Sequence, residues 1–187
     1  MLHRPGAYAT EIRQGKVIKI VINGGQGMPA RRIGELVELL YRTGSAGFAA
    51  GLHLTFTTPR YMLQTYPAAW RDHYAREGLL LIDPTVHWGL ANTGWTRWSA
   101  LPVPQQRDIL AEAAAYGMPY GITVATLARG SRSIASLSRA DREFSDAEAD
   151  GVRGLMDELH DLTFSIHTLP APVDSLLRRL SILFSQS

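Results

Sequence analysis

The sequence predicts an α+β domain with one sheet. Short runs rich in β-branched and small residues, closed by glycine turns, read as strands. Amphipathic stretches at helical spacing flank them, and the balance of 45% hydrophobic and 19% charged residues over 187 positions is that of a globular chain. That length suits one domain with a sizeable core, and no internal repeat or low-complexity linker divides it.

KVIKIVIN (Lys16 to Asn23) reads as a strand closed by the turn GGQG, and residues 1–28 form a strand-and-turn extension. The glycine cluster has neither the lysine and hydroxyl of a phosphate loop nor the spacing of a dinucleotide fingerprint, so it reads as a plain turn. PARRIGELVELLYR forms a helix with Pro29 in its first turn and Ile33, Leu36, Val37 and Leu40 on one face. GFAAGLHLTFTT reads as a second strand. Tyr66, Trp70 and Tyr74 recur every four residues and share a helix face. Leu79 to Ile82 is an apolar run, a buried strand or helix segment, that ends abruptly in Asp83.

Pro104 to Tyr116 forms a helix with Ile109, Leu110 and Ala113 inward. YGITVATL and SIASLS pair as a hairpin across the turn ARGS. Ser145 and Glu148 make a capping box for a long helix carrying Val152, Leu155, Met156, Leu159, Leu162 and Ile166. After LPAP, residues 169–187 hold a last amphipathic segment with Val173, Leu176, Leu177 and Leu180.

Composition narrows the chemistry. The absence of cysteine removes a disulfide framework, a thiolate zinc site and a cysteine nucleophile, and leaves the redox compartment undecided. No signal-peptide core and no run of membrane-spanning length is visible, so the cytoplasm is expected. The net charge is +2, and the arginines are scattered rather than gathered into a nucleic-acid-binding face. The histidines (His3, His53, His73, His87, His160, His167) never fall into metal-binding spacing, and His160, beside Asp157, Glu158 and Asp161, reads as part of a solvated helix face. Asp146 and Glu148 suit the first turn of a helix, where the macrodipole favours them. No nucleophile elbow is present, and no enzyme is expected.

The aromatic triplet with its following acid is the exception. An aromatic stripe is commonly core, but tyrosine hydroxyls and an indole N–H need partners when buried. Asp83 arrives nearby as an acceptor, and an aromatic-walled cavity with a few convergent polar groups suits a small amphipathic ligand.

The pattern Y-P-x-x-W-x-x-x-Y, then D-P-T-V, then Trp98, resembles the autoinducer-binding domain of LuxR-type quorum-sensing regulators. The likeness continues through A-A-A-Y-G, Y-G-I-T-V and S-L-S and covers Arg31 to Thr163. It implies an α-β-α sandwich over residues 29–168, with an N-acyl-homoserine lactone held between a central antiparallel sheet and one helical layer. By the same resemblance Trp70 donates to the lactone carbonyl, Asp83 accepts the amide N–H and Tyr66 donates to the acyl carbonyl. Thr85 or Ser136 adds a hydroxyl, while Tyr74, Val86, Trp98, Ile109 and Met118 form apolar walls. Gly121 keeps its strand close to a neighbour. Asp83 is expected to lack donors until a ligand supplies one. Trp95 and Ala125 stand where the family commonly has proline, which bears on ligand size and selectivity.

Residues 169–187 have no room for the helix-turn-helix that follows this domain in the family, so no specific DNA binding of the chain's own is expected. The chain reads as either a stand-alone sensor or a piece of a regulator. Its expected partners are the lactone, with no other cofactor, and a second copy or a LuxR-type regulator in a dimer. The alternative function is interference with such regulators by an interaction protein whose pocket is vestigial.

Overall fold

The computed structural model describes residues 28–103, 105 and 107–165. The expected strand at Lys16–Asn23 with its glycine turn, Ile166, and the segment after LPAP lie outside these residues.

Helix α1 (Met28–Thr43) buries the stripe Ile33, Leu36, Val37 and Leu40. Strand β1 (Gly47–Thr55) reverses at Phe56–Thr57 into β2 (Thr58–Gln64). The run read as one strand is therefore a strand and a turn. No Gly or Asn marks that turn; Phe56 itself takes a φ of 56° and stands 93% exposed. Pro59 is tolerated because β2 is an edge strand.

Helix α2 (Ala68–Arg76) is followed by a short 3-10 turn at Leu79–Leu81. Only Leu79 of that turn is buried, and Leu81 is 77% exposed, so the apolar run is not the buried segment expected from its composition. Helix α3 (Pro84–Ala91) starts with Asp83 as its N-cap and Pro84 at its first position, a pairing that suits a helix start. Strand β3 (Gly94–Arg97) leads into a 3-10 turn at Trp98–Ala100. Helix α4 spans Ile109–Ala115, shorter than the expected Pro104–Tyr116, because Asp108 caps it by accepting from the Ala111 N–H.

Strands β4 (Tyr120–Ala128) and β5 (Ser131–Arg139) form the expected hairpin. Arg129 and Gly130 carry φ of 53° and 72°, the twisted two-residue turn that joins antiparallel strands well. Helix α5 (Asp146–Phe164) opens with the capping box of Ser145 and Glu148.

The five strands form one antiparallel sheet in the order β2-β1-β5-β4-β3. On one face α1 and α5 pack over Phe48, Leu52, Ile122, Val124 and Leu137. On the other lie α2, α3 and α4, so the molecule is an α-β-α sandwich. Strand alternation makes the two faces unlike. The register sets Ala49 beside Ser136 and Ser136 beside Thr123, and the next row holds Gly47, Ser138 and Gly121. Bulky side chains fill the α1/α5 face, and small or hydroxylated ones line the other.

His160 departs from expectation. It is fully buried on α5, one turn beyond Met156, where α5 meets the sheet. Its Nδ1 lies 2.8 Å from the Ser133 hydroxyl, and its ring centroid is 4.6 Å from that of buried His53. His53 sits at an irregularity of β1 with a φ of 55°, and its Nε2 lies 2.8 Å from the Thr163 hydroxyl. The neighbouring acids face elsewhere: Asp157 accepts from Thr126, Glu158 from Arg32, and Asp161 pairs with Arg129.

Candidate functional site

The sandwich gathers the aromatic motif on the small-residue face. Tyr66 precedes α2, whose N-cap is Pro67, and Trp70 and Tyr74 project from α2 itself. Tyr66, Trp70, Trp98, Ile109 and Met118 lie in one buried apolar cluster with Leu79 and Leu101, and Tyr74 packs against it. Val86, half-buried on α3, lies outside that cluster.

The glycines on this face are positions of close approach. A Cβ on Gly121 would sit 2.3 Å from the Trp98 ring, and one on Gly47 would sit 2.8 Å from the Tyr66 ring. Both aromatics therefore press close against strand backbone. Gly121 makes room for a ring of the site, where a close strand–strand approach had been expected.

Asp83 is engaged as a cap. Its Oδ1 accepts from the Thr85 N–H and the Thr85 hydroxyl, both at 2.7 Å, and its Oδ2 accepts from the Tyr74 hydroxyl at 2.8 Å. The expectation of a carboxylate waiting for donors is corrected: the helix start and α2 supply them. Tyr74, expected as an apolar wall, contributes its hydroxyl to this group. Burial, then the Asp83 charge, pushes the Tyr74 phenol well above its ordinary value, and the same two causes act in the same order on Tyr66. Both phenols remain donors at neutral pH.

A second polar group lies on the sheet. The Tyr66 hydroxyl donates to the Ser136 carbonyl at 2.9 Å, the Ser136 and Thr123 hydroxyls are 3.0 Å apart, and the Trp98 indole N–H donates to Thr123 at 3.2 Å. Among the described residues the Trp70 indole N–H takes no hydrogen-bond partner, although the residue is 5% exposed. Its ring packs against Tyr74 at 5.7 Å and Tyr116 at 5.3 Å.

Thr123 and Tyr116 were not singled out from sequence. Alternation in YGITVATL offered a signal for Thr123, since Ile122 and Val124 point to the opposite face. Tyr116 follows α4 and had none. A groove of about 410 Å³ lies away from this site, between the end of α1 and the first half of α5, lined by residues including Leu39, Arg42, Arg139 and Leu155.

An antiparallel sheet with an aromatic helical layer on its small, hydroxyl-bearing face defines the class: an α-β-α sandwich domain. The description "Autoinducer binding domain" matches residues 30–168, most of the chain, and the protein belongs to that family. It is 27% identical over 112 residues to the transcriptional activator SolR of Ralstonia nicotianae, covering 59% of this chain and 46% of that one. It is 29% identical over 116 residues to the quorum-sensing regulator RhlR of Pseudomonas aeruginosa, covering 60% and 48%. The chain thus spans about half the length of these curated relatives.

Among solved structures, Escherichia coli SdiA aligns with a TM-score of 0.54 at 23% identity, covering 74% of this chain and 62% of that one. SdiA in complex with octanoyl-rac-glycerol aligns at 0.55 with 20% identity, covering 76% and 62%. These are likenesses of fold. No helix among the described residues is long and apolar enough to cross a membrane.

Proposed function

We propose that the chain binds an N-acyl-homoserine lactone, or a similar acyl amide, between the sheet and the α2–α4 layer. One observation carries this reading: the indole N–H of Trp70, which takes no partner among the described residues, shares a helix with the tyrosine that holds Asp83. A carboxylate offers about four lone-pair positions, and three donors already occupy Asp83. The remaining position suits one amide N–H, and fixed geometry favours that bond by removing the cost of ordering the acceptor.

In this reading Trp70 donates to the lactone carbonyl and Asp83 accepts the amide N–H. Tyr66 turns from the Ser136 carbonyl to the acyl carbonyl, and Thr85 or Ser136 presents a hydroxyl to the amide region. Tyr74, Val86, Trp98, Ile109 and Met118 enclose the acyl chain.

The test is thermal unfolding with lactones of short, medium and long acyl chains, beside octanoyl glycerol, an ester without an amide N–H. A ligand at a hundredfold excess over its Kd stabilises the fold by about 2.7 kcal/mol. A matched lactone should exceed octanoyl glycerol by about 1.5–3 kcal/mol of binding free energy, the value of a hydrogen bond to a charged group. No shift with any lactone overturns the proposal.

A further inference from the structure

Two residues lie between the turn at Trp98–Ala100 and α4 that bear on the aromatic cluster from its rim. The first, Leu101, is anchored inward at 7% exposure, while Val103 is 62% exposed. The second, Arg107, is gripped from two helices. Its Nε and NH2 donate to both oxygens of Glu112 on α4, and its NH1 donates to Glu77, just past α2, at 3.2 Å. His73 on α2 closes the ring, with Nε2 2.7 Å from Glu112 and Nδ1 3.2 Å from the Arg76 guanidinium. With a proton on Nε2, His73 donates to Glu112 and accepts from Arg76 at Nδ1, while the Arg107 NH2, 3.3 Å from Nε2, is left to its bond with Glu112.

This ring of charge lies over the site. The His73 ring stacks on Tyr116 at 5.5 Å and 28° and lies 5.8 Å from Trp70. The walls below it are α2, with Trp70 and Tyr74, and α4, with Ile109 and Ala113.

We propose that the Glu77–Arg107–Glu112–His73 network is a strap across the entrance to the aromatic site, with Arg107 as the positioning residue that sets how fast a ligand exchanges. The inference rests on the reading of that cluster as the signal site. A ligand entering between α2 and α4 must part helices whose rims are joined by charge. Apolar contacts on the same path would cost free energy in proportion to the area exposed, whereas partly exposed ion pairs trade readily with water. The guanidinium fork matters because it holds both oxygens of one carboxylate and reaches a second, which an ammonium cannot reproduce. Arg107, then His73, holds the Glu112 carboxyl down at about 2, so that carboxylate stays charged throughout the physiological range. The ion pairs it makes weaken as ionic strength rises.

The test uses the whole chain, with Arg107→Ala, Arg107→Lys and, as a control, Arg42→Ala, which breaks the Arg42–Glu38 pair on α1. Amide hydrogen exchange of residues 101–116 in the protein alone should rise several-fold in Arg107→Ala and less in Arg107→Lys. Exchange in α5 should stay at the wild-type rate. N-octanoyl-homoserine lactone should dissociate several-fold faster from Arg107→Ala, with Kd changing less than the dissociation rate, and added salt should reproduce this in the wild type. Unchanged exchange over 101–116, or unchanged lactone dissociation alongside faster exchange, overturns the strap.

If the wild type binds no lactone, the site reading fails. The strap is then decided by the 5-fluorotryptophan resonance of Trp70: greater broadening by a gadolinium chelate in Arg107→Ala supports it, and equal broadening overturns it. If Arg107→Ala does not fold, Glu77→Gln removes one attachment and should shift the same readouts in the same direction; no shift overturns the strap.

Discussion

Asp83 shows how one side chain serves two ends. It caps α3 and ties that helix to Tyr74, so its removal costs the fold as well as any ligand. We expect Asp83→Ala to lower stability by about 1–3 kcal/mol in urea unfolding, from the lost cap and a buried phenol left without its acceptor. Tyr74→Phe should cost less, because Asp83 keeps both Thr85 donors. The Asp-Pro step is a helix-start signal that went unused in reading Asp83 from sequence, and the donors come from Thr85 and from Tyr74, nine residues upstream. A local pattern shows a cap; it does not show which distant hydroxyl completes it. His160 is the reverse case. Its acidic neighbours suggested a wet face, yet its four-residue spacing from Met156 already placed it on the buried stripe. Periodicity was the better guide there than the charge of adjacent residues.

Among elements, those with strong local codes were legible: α1 from its apolar stripe, α5 from its capping box, and the β4–β5 hairpin from its Arg-Gly turn. Strand β2 was hidden because a phenylalanine occupies the turn, and β3 because four residues carry little pattern of their own. Two predictions follow from the physical reasons. Phe56 holds a left-handed conformation that costs a non-glycine residue about 1–2 kcal/mol, and its side chain touches solvent almost everywhere. Phe56→Gly should therefore raise the unfolding midpoint. Gly121→Ala should lower stability by about 1–3 kcal/mol through overpacking against Trp98, and should also disturb the Trp98–Thr123 hydrogen bond. Near-ultraviolet circular dichroism of the indoles reads the second effect separately from unfolding.

At the scale of the molecule, buried His160 makes stability depend on pH. Burial pushes the His160 imidazole below its ordinary value; the Ala128 carbonyl, Asp161 and Asp157 pull it back in part, and Arg129 adds to the depression. The unfolded chain therefore binds a proton more readily than the folded one. Its contribution to stability is complete above about pH 6.5 and is lost as pH falls through that value toward the lower folded pKa. Urea unfolding at pH 8 and pH 5 should show a drop that His160→Asn flattens. A slope unchanged by that substitution would assign the effect to other groups.

The strand order also bears on how the molecule is made. The β4–β5 hairpin closes across two residues, whereas Ser138 and Gly47 meet across 91 and Tyr66 reaches Ser136 across 70. Short loops close early and long ones late. On a ribosome, β1, β2 and α2 emerge before the strand that joins them to the rest of the sheet. The nascent chain must carry Tyr66, Trp70 and Tyr74 in water until β5 follows. The candidate site thus waits for β5, with only α5 emerging later, and substitutions in the hairpin should slow refolding while those in α2 mainly speed unfolding.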